Sequence, residues 1–551
     1  MKNMSKILSL VLVLVMAAGL VACGSSSTST TGTQSTTETQ APAATKAPDA
    51  TPAPIGNVEK TDTEPDAAGS HKGGTLTLSC NTEVTTGLFT HDLSSWQALE
   101  MMQPVYETLF RNVDGDIQPC LATGYEADPD AMTYTIHLRD DVTFHDGSKF
   151  NAEVVKWNLE YYRDVASRGM YYLANLDNVE VVDEYTVKLN LTSWDITIIP
   201  SLTIYPGNMT SKEAWEKNGQ DYLNETKPIG TGPYELESWE YNVNKVFVRN
   251  ENYWGGEPNF DKVEIKMIND DLVVTAALKT GEIDMVINGS PSLYGQIDYD
   301  VQMREFVAFD QLQNIVFSAT NPDSPFSDLR VRQAVCYALD TAAFNEAFQY
   351  GAGTVTNQFG VPGDRFYNDS LTGVYDYDLE KAKSLMEEAG YADGFTCPLY
   401  YVGIPTQTDV AAAIQDALLP LNITLELHGG TVEYAEWMWY FDEGILVHMM
   451  GLPVDLAPQF VSNFKIGATG FGQNAIIHTE ELDAIIDGAV SARTLEEEGA
   501  GFQEANKVII EDMCLWYPFY TIPNLTFANT NLKDTGLADG IIDYLHIWRE
   551  S

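Results

Sequence analysis

The clearest alternation of apolar and polar positions in the chain begins at Tyr134. Tyr134, Ile136 and Leu138 alternate with Thr135, His137 and Arg139 at period two, the mark of a half-buried strand. Asp146-Gly147 then supplies a tight turn, because glycine accepts the positive φ that such turns need. Asn151 is placed to cap a helix in which Val154, Val155, Trp157 or Asn158, Leu159 and Tyr162 recur at roughly helical spacing. The same reading predicts strands at 73–78, 179–182, 186–191, 234–239, 243–249 and 263–268, with helices at 96–109 and 272–279 and a βαβ-like unit closing at 281–286. A second set follows: strands at 312–319, 396–401, 423–427 and 445–449, and helices at 325–339, 379–389, 409–418, 432–441, 482–490 and 494–511. Residues 518–547 return to strand-like segments. Strands and helices mixed at this spacing mean an α/β architecture, and no repeat of fixed period is visible.

The N-terminal end breaks this pattern. Lys2 and Lys6 precede an apolar run from Ile7 to Leu20, too short for a membrane span and typical of an export signal. The run ends in Leu20-Val21-Ala22-Cys23, small residues before a cysteine as in a bacterial lipobox, so 1–22 reads as a signal peptide and Cys23 as the lipidated residue. Residues 24–72 are Ser, Thr, Ala, Pro, Gly and Gln with almost no large apolar side chain, and 23–72 reads as a disordered tether. A coil of about 48 residues reaches roughly 35–40 Å.

At 551 residues the chain exceeds one ordinary core, and 44% hydrophobic content is enough to fill two or three. The formal charge of −48 argues against a nucleic-acid partner, which would call for clustered Lys and Arg. Beyond Cys23, the cysteines Cys80, Cys120, Cys336, Cys397 and Cys514 stand singly, so no disulfide framework or zinc site is readable and buried thiols are the default. There is no GxSxG elbow, Gly-rich phosphate loop or zinc motif, and Asp140-Asp141 falls in a turn, so the chain does not read as an enzyme.

Several blocks in order resemble the peptide/nickel-type class, family 5, of bacterial extracellular solute-binding proteins that serve ABC importers. They are Val105-Tyr106-Glu107-Thr108-Leu109-Phe110-Arg111, Pro119-Cys120-Leu121-Ala122, Tyr134 to Gly147, Gly230-Thr231-Gly232-Pro233-Tyr234, Asn252-Tyr253-Trp254-Gly255-Gly256, Arg330-Val331-Arg332-Gln333-Ala334 and the helix Lys381 to Tyr391. The resemblance implies a two-lobed periplasmic-binding-protein-like α/β fold of cluster C type, with discontinuous domains. Lobe I is expected from 73–105, 190–306 and 511–551, its insert from 106–189, and lobe II from 307–510. It implies a monomeric, non-catalytic lipoprotein on the outer face of the bacterial cytoplasmic membrane, without cofactor, that delivers a small solute to permease and ATPase subunits.

The resemblance also locates the ligand, and there the pattern breaks. Peptide-binding members carry Trp-x-x-Asp-x-x-Asp-Pro where this chain has Met449-Met450-Gly451-Leu452-Pro453-Val454-Asp455-Leu456, so Asp455 is kept but the ammonium-binding position is Leu452. The loop that holds a carboxylate-binding Arg in dipeptide-binding members is Val402 to Thr408, containing Gln407 and no cation. Candidate contacts are therefore Tyr434 and Trp437 on an aromatic helix, Gln313 and Asn314 on the strand entering lobe II, Phe89 and Trp96 opposite, and Gln407, Leu452 and Asp455. His448 and Met450 share a strand face and read either as a soft-metal or haem contact or as structural residues. The ligand class expected is a peptide-like solute, with an oligosaccharide or another non-zwitterionic ligand as alternative; a receptor or adhesion lipoprotein is the alternative of another class.

Overall fold

The computed structural model describes residues 72–83, 88–93, 95–113, 116–166, 172–305, 311–451, 456–468, 470–537 and 541–550, all of one compact unit. The signal segment, Cys23 and the tether up to residue 71 lie outside the described residues. Lys72 is described, and its ammonium pairs with Glu257 at 2.6 Å.

In chain order the first strands are β1 (Thr75–Cys80), the hairpin β2 (Phe110–Val113) and β3 (Asp116–Pro119), then β4 (Ala122–Asp128), β5 (Thr133–Leu138), β6 (Leu176–Asp183) and β7 (Thr186–Leu191). They are followed by β8 (Tyr234–Glu240), β9 (Asn244–Arg249), β10 (Lys262–Met267), β11 (Met285–Gly289) and β12 (Val301–Glu305). Next come β13 (Gln311–Phe317), β14 (Phe395–Val402), β15 (Ile423–Gly430), β16 (Ile445–Gly451), β17 (Trp516–Ile522) and β18 (Leu525–Asn529). Helices used below are α1 (Trp96–Met102), α2 (Ala152–Val165), α3 (Leu329–Ala338), α4 (Pro405–Leu418) and α5 (Tyr434–Tyr440).

These strands build two lobes. A seven-stranded sheet in the order β12-β18-β11-β1-β10-β9-β8 carries the first, and a five-stranded sheet, β15-β14-β16-β13-β17, the second. The expected βαβ-like unit is present, with β10 and β11 flanking β1 and both parallel to it. A four-stranded sheet, β4-β5-β7-β6, shares the first lobe's hydrophobic core, and the five-stranded sheet has its own. The chain crosses between lobes after β12, and returns between β17 and β18. The return was expected near Glu511; instead β17 pairs antiparallel with β13. Its aromatic residues Trp516, Tyr517, Phe519 and Tyr520 are buried in the second core, so the chain leaves only after Ile522. The helix expected over 96–109 is also shorter. It stops at Met102 because Pro104 lacks an N–H and cannot continue it, and the Pro104 and Val105 carbonyls accept from Tyr234 N and Gly232 N, each at 2.9 Å. Besides the two crossings, Trp194, just after β7, ties the lobes by donating its indole N–H to the Ala492 carbonyl at 2.8 Å.

The turn after β5 has a clear mechanical role. Gly147 sits at φ +82°, and its N–H donates to Phe144 O at 2.8 Å. Asp146 accepts from Ser148 N at 3.0 Å and from Ser211 Oγ at 2.7 Å. His145 donates its backbone N–H to Gly230 O and its Nε2–H to Gly232 O, both at 2.9 Å, while Nδ1 accepts from Gly230 N at 3.3 Å. This set of partners fixes a neutral ring. A Cβ on Gly230 would meet Val105 O at 2.0 Å and one on Gly232 would meet Pro104 O at 2.5 Å, so no side chain fits where this loop lies against the Pro104–Val105 backbone. Asn151 caps α2, accepting from Val154 N at 3.1 Å. The buried face of α2 is Ala152, Val155, Asn158, Leu159 and Tyr162, with Val154 and Trp157 half-buried.

Four of the sequence blocks converge on Glu107. Its buried carboxylate accepts from Tyr253 OH at 2.7 Å, Trp254 Nε1 at 2.8 Å, Thr231 Oγ1 at 2.9 Å and Arg111 Nη2 at 3.2 Å, with Cys120 Sγ at 4.0 Å. Burial pushes the pKa of Glu107 up, against the Arg111 charge and the three neutral donors. Since Trp254 and Arg111 can only donate, the ionised carboxylate is the form this cage matches. Arg139 stacks 4.1 Å from the Trp254 ring and so ties β5 to the same cluster.

Two predictions follow from this packing. Glu107→Ala strands buried donors and should lower the unfolding free energy by about 3–5 kcal/mol in a denaturant titration. A loss under about 1 kcal/mol, the size of one ordinary hydrogen bond, would show that the cage is dispensable. The second concerns His91, which is buried against Phe89, Tyr161 and Tyr162 with Nε2 3.1 Å from Asn158 O. Burial pushes its pKa down from 6.5 to about 4. The unfolded chain therefore binds a proton that the folded chain refuses, and stability should fall as pH drops from about 6.5 toward 4, by about 3 kcal/mol at the lower end. Melting curves of the parent and His91→Gln should diverge in slope across that window; parallel curves would contradict the neutral assignment.

Candidate functional site

A central strand buried on both faces is normally apolar throughout, yet β13 carries two amides, Gln313 and Asn314, each 0% exposed. Buried amides need partners, and those partners define the crossing end of the five-stranded sheet. Gln313 lies opposite Met449 of β16 and Tyr520 of β17, beside both lobe crossings. Its Nε2 donates to His448 O at 3.2 Å, and its Oε1 accepts from Gln407 Nε2 at 2.7 Å. Gln407 is also buried. It was expected in a loop with the helix starting at Asp409; instead Pro405 begins α4, its ring preset for a first helical turn, and Thr408 N closes on Ile404 O at 2.9 Å.

His448 links this pair to the aromatic helix. Its Nδ1 lies 2.9 Å from the oxygen of Tyr434, whose single hydroxyl proton can go to Val447 O at 3.2 Å. The ring packs 4.7 Å from Phe471 and 5.9 Å from Trp516. Complete burial pushes its pKa down to about 4, so it is neutral at physiological pH. Gln313, Gln407, Tyr434 and His448 thus form a continuous network without formal charge. Two of its buried atoms, Gln407 Oε1 and His448 Nε2, have no hydrogen-bond partner among the described residues.

The other predicted contacts are placed elsewhere. Asn314 is used internally, its Nδ2 donating to Leu312 O at 2.9 Å and its Oδ1 accepting from Trp516 Nε1. Trp437 is half-buried against Tyr400, with ring centroids 5.1 Å apart. Phe89 is buried in the first core, 4.7 Å from the His91 ring. Trp96 begins α1, but its side chain lies outside the described residues, as do Leu452 and Asp455. Met450 packs in the second core, and no cluster of three or more His, Cys, Asp or Glu able to hold a metal occurs among the described residues. Sequence reasoning missed Trp516 and Phe471, which wall the His448 ring; they are far from it in sequence, and no local pattern marks them. A separate concavity where β1 and β11 end, bounded by Ser79, Asn81, Asp271 and Ser290, holds about 10 Å³. That is room for one water and not for a solute.

Residues 116–461 match the family model described as bacterial extracellular solute-binding proteins, family 5 middle. The heme-binding protein A of Haemophilus influenzae is 29% identical over 454 residues, covering 76% of this chain and 81% of that protein. The glutathione-binding protein GsiB of Salmonella paratyphi A is 32% identical over 479 residues, 82% of this chain and 91% of that protein. The solved structure of the ABC transporter substrate-binding protein CtaP from Listeria monocytogenes superposes with a TM-score of 0.76 at 21% identity, over 87% of this chain and all of that one. Two lobes joined by two crossings, motif blocks gathered on one buried carboxylate and relatives matched over most of their length agree: the chain belongs to family 5 of the bacterial extracellular solute-binding proteins.

Proposed function

We propose that this protein is the lipid-anchored binding component of an ABC importer, holding a small peptide-class solute between its lobes and handing it to the permease and ATPase. The lobes are taken as 73–105 with 190–306 and the C-terminal return, and 307 onward for the second, with 106–189 as the insert. The observation that carries the ligand class is the uncharged network beside the crossings. Gln407 Oε1 is a buried acceptor without a partner among the described residues, and so is His448 Nε2. Amides of this kind complement the N–H and C=O groups of a peptide backbone, whereas an ammonium or carboxylate terminus would enter the same network without a counter-charge. Tyr434 holds His448 in place, and Leu452 and Asp455 follow directly on β16, which carries that histidine.

Thermal-shift screening of peptides, oligosaccharides and metal chelates, haem among them, tests the assignment, because a ligand bound only by the native state must stabilise it. A peptide at about a hundredfold its Kd should add about 2.7 kcal/mol of stability. Stabilisation by oligosaccharides alone would overturn the peptide class, and hydrolysis of a screened compound would overturn a binding-only role. Gln407→Ala should weaken the peptide identified in this way by about 5- to 30-fold in calorimetry, the loss of one or two buried hydrogen bonds; unchanged affinity would remove Gln407 from the site. For the anchor, Cys23→Ser should shift the protein from the membrane fraction to the soluble fraction of expressing cells. Retention in the membrane would refute lipidation at Cys23.

A further inference from the structure

The five cysteines after Cys23 are isolated in sequence, but folding brings two of them together. Cys336 on α3 and Cys514 in the turn before β17 are both buried, with their sulfurs 3.5 Å apart. A disulfide has its sulfurs about 2.05 Å apart, so closing the gap takes a movement of about 1.5 Å, within the reach of small side-chain rotations at both residues. The turn presenting Cys514 is held from α3 itself. Arg332, one helical turn before Cys336, is buried and donates from Nη2 to Met513 O at 2.6 Å, from Nε to Cys514 O at 3.0 Å and from Nη1 to Phe326 O at 2.6 Å. Cys514 adopts φ +46°, a left-handed conformation rare for a residue with a side chain, and this backbone aims it back toward the helix. Tyr375, whose hydroxyl donates to Ile510 O at 3.0 Å, closes the same pocket. Burial opposes ionisation of the Cys514 thiol, but Cys336, Tyr375 and the Arg332 charge together bring its pKa below the ordinary value.

We propose that Cys336 and Cys514 form a disulfide in the exported protein, a covalent staple between α3 and the turn that leads into β17. The oxidant is a disulfide, either of a thiol–disulfide oxidoreductase or of a low-molecular-weight carrier. The Cys514 thiolate attacks one of its sulfurs to form a mixed disulfide, and one carrier thiolate leaves. Cys336, losing its proton, then attacks Cys514 Sγ and expels the second. Two cysteine thiols become one disulfide, the carrier disulfide is reduced to two thiols, and the two protons pass to the leaving thiolates. Exchange occurs before the turn docks or during its opening, since both sulfurs are buried in the folded state.

The test is to refold the protein with 2-hydroxyethyl disulfide, alkylate it under denaturing conditions and digest it. The expected result is a Cys336–Cys514 cross-linked peptide and an intact mass about 2 Da below that of the reduced protein, the two hydrogens lost on forming the bond. The oxidised protein should melt on the order of 5 °C above the reduced one, because the bond closes a long loop. Both the mass change and the thermal difference should vanish in Cys336→Ala and in Cys514→Ala. Full alkylation of both residues in the parent after oxidation, or a cross-link to Cys80, Cys120 or Cys397 instead, would overturn the proposal. The parent comparison does not depend on either variant folding.

Discussion

Much of the first lobe depends on one buried negative charge. A carboxylate taken out of water is stable only when its oxygens are filled by donors, and Glu107 has them filled from far along the chain. Thr231, Tyr253 and Trp254 lie more than a hundred residues downstream, yet they and Arg111 satisfy both oxygens. Leaving out any of these segments would leave the carboxylate short of a donor. The motif blocks are therefore one constraint expressed at several places in the sequence. The clamp of His145 on Gly230 and Gly232 sits beside it through the same Gly-Thr-Gly loop, so the turn after β5 and the carboxylate cage hold one another in register.

Both lobes bury charge against partners. The first also holds Lys245 against Glu83 and Asp284 against Arg549, and the second holds Glu498 against Arg365. In the second lobe Arg332 is spent on backbone carbonyls just before β17, and the crossing end of the sheet is neutral amide, hydroxyl and imidazole. A neutral site gives up the strength of charge-assisted bonds. In exchange it leaves no unpaired ion when empty, although each unpartnered polar atom costs about 1–3 kcal/mol.

Legibility followed the range of the interactions. The β5 strand, the Asp146-Gly147 turn and the Asn151 cap were readable because each is decided within a few residues by periodicity, by glycine's freedom and by a side chain reaching its own helix N-terminus. Pro104 was equally local evidence for ending α1, and the helix expected over 96–109 ran past it. The return between lobes was misplaced because Trp516 to Ile522 would read as a strand in either sheet; only pairing with β13 decides which. Gln313 and Gln407 were named in the sequence reading as candidate ligand contacts, but their mutual hydrogen bond spans 94 residues and leaves no local trace. The same holds for Cys336 and Cys514, single in sequence and adjacent in space.

Trp194 stacks on Tyr134 with ring centroids 4.8 Å apart and reaches across to a carbonyl of the second lobe. Any separation of the lobes must break that hydrogen bond and give the indole N–H to water. Indole emission is sensitive to such a change, so Trp194, once the other nine tryptophans are replaced, serves as an optical gauge of lobe separation with no dye to attach.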